Sequence, residues 1–104
     1  MTSPIFFNVK EAREQLMGHG IVYSVRHSRQ TCLTAARHGS FFKFVELCKV
    51  RVTVVLLLHE EGREVQLADY VKDSGFQTVQ DWIAHVQVWK SPMYLYKVEA
   101  QNAL

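Results

Sequence analysis

The hydrophobic positions of the chain switch between helical and strand periodicity, which predicts an α+β domain. The first periodic segment predicts a short helix over Val9–Met17, with three apolar residues on one face: Val9, Ala12 and Leu16. Asn8 with Glu11 three residues later is typical of a helix start, because the Asn side chain accepts from first-turn amides. Gly18 or Gly20 is expected to end the helix.

Strand periodicity follows in two stretches. Ile21–Arg26 is predicted as a strand that brings Ser24 and Arg26 to one face near its end. A longer stretch, Phe41–Leu58, has an alternating apolar register: Phe42, Phe44, Cys48, Val50, Val52, Val54, Leu56 and Leu58. Eighteen residues exceed a normal strand, so we expect two strands or one strongly bent strand, broken near Glu46.

The second half of the chain predicts a short strand, two helices and a closing strand. The short strand is Glu64–Gln66 and the closing strand is Met93–Glu99. One helix passes through Leu67, Tyr70 and Val71, and the other begins at Thr78, with Asp81 in its first turn. Helices are too few and too clustered for a doubly wound parallel sheet. A small mixed or antiparallel β-barrel, with about three short helices packed at its openings, fits this order better.

The bulk properties indicate one cytoplasmic domain covering residues 1–104. At 104 residues and 48% hydrophobic content, the chain is long and apolar enough to bury a core without staples. Its longest apolar run, Val54–Leu58, is far shorter than the roughly 20 residues of a membrane span. Residues 1–4 show no secretory signal, so we expect a cytoplasmic location and no membrane partner.

The cysteines and histidines show no metal-binding spacing. Cys32 and Cys48 form no C-x-x-C motif, and the five histidines are scattered along the chain. We expect two reduced, mostly buried thiols and no metal or other cofactor. A Cys32–Cys48 disulfide or a structural zinc site are the alternatives.

Charge is distributed unevenly along the chain. From Gln15 to Val45 there is no Asp or Glu, and residues 15–59 carry six basic side chains against one acidic, a sum of +5. Residues 60–104 carry four basic against seven acidic, a sum of −3, and residues 1–14 sum to zero. A basic segment that also holds hydroxyls and amides favours RNA or another phosphate-bearing partner.

The candidate binding residues all come from the basic segment. We expect phosphate contacts from four cations: Arg26, Arg29, Arg37 and Lys43. Ser28 and Gln30 offer hydrogen bonds to bases or sugars, His27 belongs to the same cluster, and Phe41 is the stacking candidate. Tyr23 is a further stacking candidate, whereas Phe42 and Trp82 are expected in the core. The structural alternative for Arg26 is an ion pair with Asp69 or Asp73, and for the loop cations it is solvated charge.

Three segments in this order resemble an ASCH domain of the PUA-like superfamily. Gly18–Arg26 resembles the family's turn after helix one and the strand ending in Arg, and Val50–Val54 resembles its long central strand. Ser74–Trp82 followed by Tyr94–Glu99 resembles its Gly-Phe-x-Ser/Thr helix start and closing strand. The resemblance implies a PUA-like barrel with a cleft beside the strand Ile21–Arg26, and a role linked to RNA or nucleotides.

The same resemblance leaves an enzymatic alternative. Some small ASCH proteins resemble amidohydrolases that act on acetylated cytidine with a Lys, a Thr nucleophile and a Glu. Ser24 would replace the Thr here, and His19 would be the acid or base beside it, but the Lys position holds Gly20 or Ile21 and the Glu position falls near Ser74. A hydroxyl needs a base to be activated, so we favour a non-enzymatic binding domain over a hydrolase of modified nucleosides.

A protein–protein adaptor is the third class that the sequence leaves open. Its mark would be an exposed apolar patch in place of a concave basic surface, including Trp89, Tyr94 or Phe41.

Overall fold

A computed structural model describes residues 3–26, 33–40, 42–59, 61–86 and 93–101. The described residues form a five-stranded sheet, three α-helices and one 3₁₀ turn at Val71–Asp73. The strands are β1 Ser3–Phe6, β2 Ile21–Arg26, β3 Leu33–Gly39, β4 Phe44–Leu58 and β5 Met93–Gln101. The helices are α1 Lys10–His19, α2 Arg63–Ala68 and α3 Val79–His85.

The sheet is mixed and open, with the strand order β1-β3-β4-β5-β2. The β1–β3 pair is parallel and the three other pairs are antiparallel. The predicted α+β class with a few short helices is confirmed, but the predicted closed barrel is wrong, since the edge strands β1 and β2 form no ladder with each other among the described residues. A side chain links these two edges instead, because Arg26 at the end of β2 donates to the carbonyl of Phe6 on β1.

The long stretch before Leu58 is one strand with two irregularities. In the β3–β4 ladder Ala36 pairs with Cys48, and the next residue, Arg37, pairs with Glu46. Leu47 is therefore an extra residue on β4, as in a β-bulge. The β4–β5 register shifts again between Val54 and Leu56. A bent strand interrupted near Glu46 was one of the two predicted outcomes, and the structure confirms it.

Both faces of the sheet carry a core cluster, because β2 and β5 present apolar residues on alternate sides. The first cluster packs beneath α1: Ile5, Phe7, Leu16, Val22, Ala36, Val50, Tyr96 and Val98. The second packs against α2 and α3: Leu58, Leu67, Trp82, Met93 and Leu95. The sheet is therefore the middle layer between helices.

The helix ends confirm some of the predicted caps and overturn others. Gly20 ends α1 in a left-handed conformation, and the Thr78 hydroxyl accepts from the Asp81 amide at 3.1 Å to begin α3, both as predicted. Val9, not Asn8, precedes α1 as its cap. The longest described helix, α1, has ten residues, and no helix in the described part of the chain could cross a membrane.

The predicted strand Glu64–Gln66 is wrong, because these residues belong to α2. Gln66 faces back onto the end of β4, where its amide donates to the Leu57 carbonyl at 3.1 Å and accepts from the His59 amide at 2.9 Å. The side chain thus satisfies the backbone groups that a pairing strand would have satisfied.

The assignment of Phe42 to the core is also wrong. Phe42 is 100% exposed, because β3 and β4 are joined by a tight turn at this point and the strand register begins only at Phe44. The predicted alternating register therefore began at Phe42, two residues before β4 itself begins.

Replacing Gly75 by Ala is expected to destabilise the fold by about 2–4 kcal/mol. Gly75 has φ +92°, and a Cβ there would collide with the Glu11 carbonyl of α1. Urea denaturation of both proteins measures the loss. Gly18→Ala is the matched control: nothing lies within 4 Å of a Cβ at Gly18, so its stability should stay equal or rise by up to about 1 kcal/mol. Equal stability of Gly75→Ala and the wild type would contradict the close approach of the turn to α1.

Candidate functional site

A cavity of about 620 Å³ opens beside the end of β2, between β1, α1 and α3. Five aromatic side chains line it: Phe6, Phe7, Tyr23, Phe76 and Trp82. Its polar lining comes from different elements: Asn8, Ser24, Arg26, Ser74 and His85. A mostly apolar concavity with a few convergent polar groups is typical of a small-ligand site.

Arg26 provides the positive charge of this cavity. Its Nε donates to Ser24 Oγ at 2.9 Å, its Nη2 donates to the Phe6 carbonyl at 2.8 Å, and the guanidinium lies 5.1 Å from the Phe7 ring centroid. Burial lowers the pKa of Arg26 to about 10, with a smaller opposing effect from Tyr96, so the group stays charged at neutral pH.

Arg26 has no carboxylate partner in the described part of the chain. No described Asp or Glu lies within 4.0 Å of its guanidinium, so the alternative of an ion pair with Asp69 or Asp73 is wrong. A desolvated cation whose hydrogen bonds go to a hydroxyl and a carbonyl retains uncompensated charge beside an open cavity.

Ser24 is buried, and its hydroxyl accepts from Arg26. This places Ser24 where the sequence predicted it, on the same face as Arg26 and inside the cavity. His19, the proposed acid or base, lines a different cavity with Gly20, Cys48 and Gln101. The structure therefore does not bring His19 and Ser24 together.

The part of the lining that comes from α3 and the turn before it includes Phe76 and His85. The Ser74 hydroxyl donates to the Val71 carbonyl at 2.7 Å and accepts from the Phe76 amide at 3.0 Å, which fixes the turn that presents the Phe76 ring. The rings of Phe76 and His85 lie 4.6 Å apart with an interplanar angle of 39°. These two rings form a continuous aromatic surface on α3 and the turn before it.

Both nitrogens of the His85 ring face oxygen acceptors. Nδ1 lies 2.8 Å from the Asp81 carbonyl oxygen, and Nε2 lies 3.5 Å from Glu11 Oε2 on α1. A neutral imidazole carries one N–H, so only the imidazolium donates to both acceptors. The contact with Asp81 uses its backbone carbonyl, one turn earlier on α3.

The other predicted site residues do not converge on the cavity. Arg37 on β3 lies over the Phe44 ring, with the guanidinium carbon 4.0 Å from its centroid, and its buried Nε has no hydrogen-bond partner among the described residues. Lys43 is exposed in the β3–β4 turn. Five predicted residues lie outside the described residues: His27, Ser28, Arg29, Gln30 and Phe41. Trp89 of the adaptor hypothesis lies outside them as well.

Most of the aromatic lining was not predicted as a site. Trp82 is buried in the second core cluster as expected, and its ring also faces the cavity. Phe6 and Phe7 come from a short edge strand that the sequence pattern did not indicate. The available signal was the Ser74-Gly75-Phe76 turn, whose glycine allows the backbone before Phe76 to approach α1 closely.

The described residues contain no group of three or more metal-ligating side chains. Cys48 is a free, half-buried thiol, and burial followed by the nearby Glu46 raises its pKa. Cys32 lies outside the described residues.

Comparisons with known proteins give no relative for this chain. No protein-family model, no curated protein and no solved structure matches it.

Replacing Ser24 by Ala is expected to lower the free energy of unfolding by about 1–3 kcal/mol, because it leaves the buried Arg26 Nε–H without its acceptor. Chemical denaturation measures the loss. In an Arg26→Met background the same replacement should cost less, with a coupling of about 1 kcal/mol. Additive effects of the two replacements would show that the Ser24 hydroxyl does not act through Arg26.

Proposed function

We propose that this protein binds single-stranded RNA and takes one base into the aromatic cavity beside β2. The observation that carries this proposal is the charged, desolvated Arg26 guanidinium, which lines the cavity without a described carboxylate partner. Such a site favours a ligand that combines a flat apolar ring with hydrogen-bond acceptors or negative charge.

The cavity suits a nucleobase in size and lining. Its volume of about 620 Å³ exceeds what a single ring system needs and leaves space for the attached sugar. Phe76 and Tyr23 present rings from different walls, and stacking on such rings contributes about 1–3 kcal/mol per base. Because every base has a flat face, stacking of this kind accepts any base. The aromatic lining therefore contributes to the affinity for RNA.

Arg26 supplies the polar recognition. Two of its five N–H groups donate to described residues, to Ser24 and to the Phe6 carbonyl. The described residues accept no further hydrogen bond from this guanidinium, and we propose that its other N–H groups donate to a base carbonyl or a phosphate oxygen. The two existing bonds hold the planar guanidinium in a fixed orientation, which lowers the entropy cost of ligand binding.

We propose in addition that the chain is related to ASCH domains. Two of the resembling segments, Gly18–Arg26 and Ser74–Trp82, are far apart in sequence and converge on this cavity through Ser24, Arg26 and Phe76. That convergence supports a shared cleft beside β2. The PUA-like arrangement is then an open, curled sheet whose edges are linked through Arg26.

No described side chain favours the hydrolase alternative. The Ser24 hydroxyl accepts from Arg26, and a cation that donates to a hydroxyl does not remove its proton. His85 lines the same cavity, but its ring nitrogens face the Asp81 carbonyl and Glu11. We therefore propose a binding role for this cavity.

Fluorescence anisotropy with a labelled single-stranded RNA of about eight nucleotides tests the proposal. The wild type should bind at low salt, and the affinity should fall with rising salt as counterions are released. Phe76→Leu keeps an apolar side chain but removes the ring, so the affinity should fall about tenfold.

Tyr94→Leu is the matched control, because Tyr94 is a half-buried aromatic of β5 that does not line the cavity. Its affinity should equal that of the wild type. Absence of RNA binding at low salt, or equal losses for both variants, would falsify the proposal.

A further inference from the structure

The turn between β3 and β4 presents an aromatic ring to solvent beside basic side chains. Phe42 is 100% exposed and Phe44 is 41% exposed. Lys43 lies exposed between them, and Arg37 covers one face of the Phe44 ring. Single exposed apolar residues are ordinary, but a ring flanked by cations is also what single-stranded nucleic-acid binders present to a base and its phosphate.

This turn is attached to the rim of the cavity by a pair of hydrogen bonds. Asn8, which lines the cavity, donates from Nδ2 to the Gly39 carbonyl at 2.8 Å and accepts at Oδ1 from the Gly39 amide at 2.7 Å. Arg37 pairs in register with Phe6, and Phe6 also lines the cavity. The turn and the cavity therefore share a border along β1 and Asn8.

Contacts across the turn join Gly39 and Ser40 to Lys43. The Ser40 amide donates to the Lys43 carbonyl at 2.8 Å, and the Lys43 amide donates to Ser40 Oγ at 3.3 Å. Gly39 has φ +127°, and a Cβ there would collide with the Lys43 carbonyl. The position of Lys43 relative to the cavity rim is thus set by backbone contacts.

The charge of this border favours an anionic partner. Arg37 and Lys43 are not compensated by any described carboxylate within 4.0 Å. Glu46, the Cα partner of Arg37 in the β3–β4 ladder, forms its ion pair with Lys49 at 3.6 Å. The border therefore combines an exposed ring with two cations.

We infer that Phe42 and Lys43, in the β3–β4 turn, form a second nucleotide subsite beside the cavity. This inference rests on the proposed RNA binding. One base occupies the cavity beside Arg26, a base further along the same RNA strand stacks on Phe42, and Lys43 contacts the phosphate of that nucleotide. The protein would then bind two or more linked nucleotides more tightly than one.

RNA fits this border better than a lipid surface does. Membrane binding through a turn needs a broad apolar face that can enter the bilayer boundary. Here Arg37 covers one face of the Phe44 ring, and Gly39 at the start of the turn bonds to Asn8, which lines a concave site. Binding of the turn to an anionic membrane is therefore the competing outcome of the experiment.

Binding of uridine 5′-monophosphate and of single-stranded oligouridine of increasing length separates the two subsites. Phe42→Ser should reduce the affinity for oligouridine about tenfold and leave monophosphate binding unchanged. Lys43→Gln should lower the slope of log affinity against log salt by about one phosphate contact. Chemical-shift titration measures the monophosphate, and anisotropy measures the oligomers.

The chain offers a control for each variant. Val65→Ser changes a residue that is 79% exposed on α2, and Lys72→Gln removes an exposed cation of the 3₁₀ turn. Both controls should bind oligouridine as the wild type does. A loss in the controls equal to that in Phe42→Ser and Lys43→Gln would overturn the inference.

The remaining outcomes separate this inference from the proposed function. Oligouridine binding that falls in Phe76→Leu but not in Phe42→Ser overturns the second subsite alone. Absence of all RNA binding overturns both proposals. Binding to vesicles of anionic phospholipid that is lost in Phe42→Ser, with RNA affinity unchanged, assigns the turn to a membrane surface and also overturns the inference.

Discussion

The hydrogen bonds of one guanidinium connect the two edges of the sheet. Arg26 ends β2 and donates to the carbonyl of Phe6 on β1, although these strands lie at opposite ends of the strand order. A barrel would join its edges with a ladder of backbone bonds, whereas this sheet does so through a side chain that carries charge. Because a side chain and not a backbone ladder joins β1 and β2, a space remains beside the two strands, and the cavity opens there. The same group that links the edges therefore supplies the charge of the site.

The two core clusters explain how such a site keeps its shape. β2 and β5 bury apolar side chains on both faces, so the strand that carries Ser24 and Arg26 is packed from both sides. Trp82 belongs to the second cluster and also faces the cavity, so one wall is part of the core. A binding surface built on packed elements loses little entropy when a ligand arrives.

Local patterns predicted the elements that depend on local interactions. β2, the left-handed end of α1 at Gly20 and the Thr78 cap of α3 follow from periodicity and capping chemistry over a few residues. β1 could not be predicted, because a four-residue strand gains its stability from pairing with β3 about thirty residues away. The Asn8 cap failed for the same reason: a distant backbone, at Gly39, competes for its side chain. The cavity was predicted through Ser24 and Arg26, and its aromatic walls were missed because they belong to such long-range contacts.

The position of β1 at the edge of the sheet determines which wall of the cavity can open locally. β1 is a short, parallel edge strand, and strands of this kind open with less free energy than central strands such as β4 and β5. Its opening would separate Phe6 from Arg26, release one wall of the cavity and withdraw Ile5 from the first core cluster, while the second cluster stays packed. Amide hydrogens of β1 then exchange faster than those of β5. A ligand bound between these walls would slow this local opening.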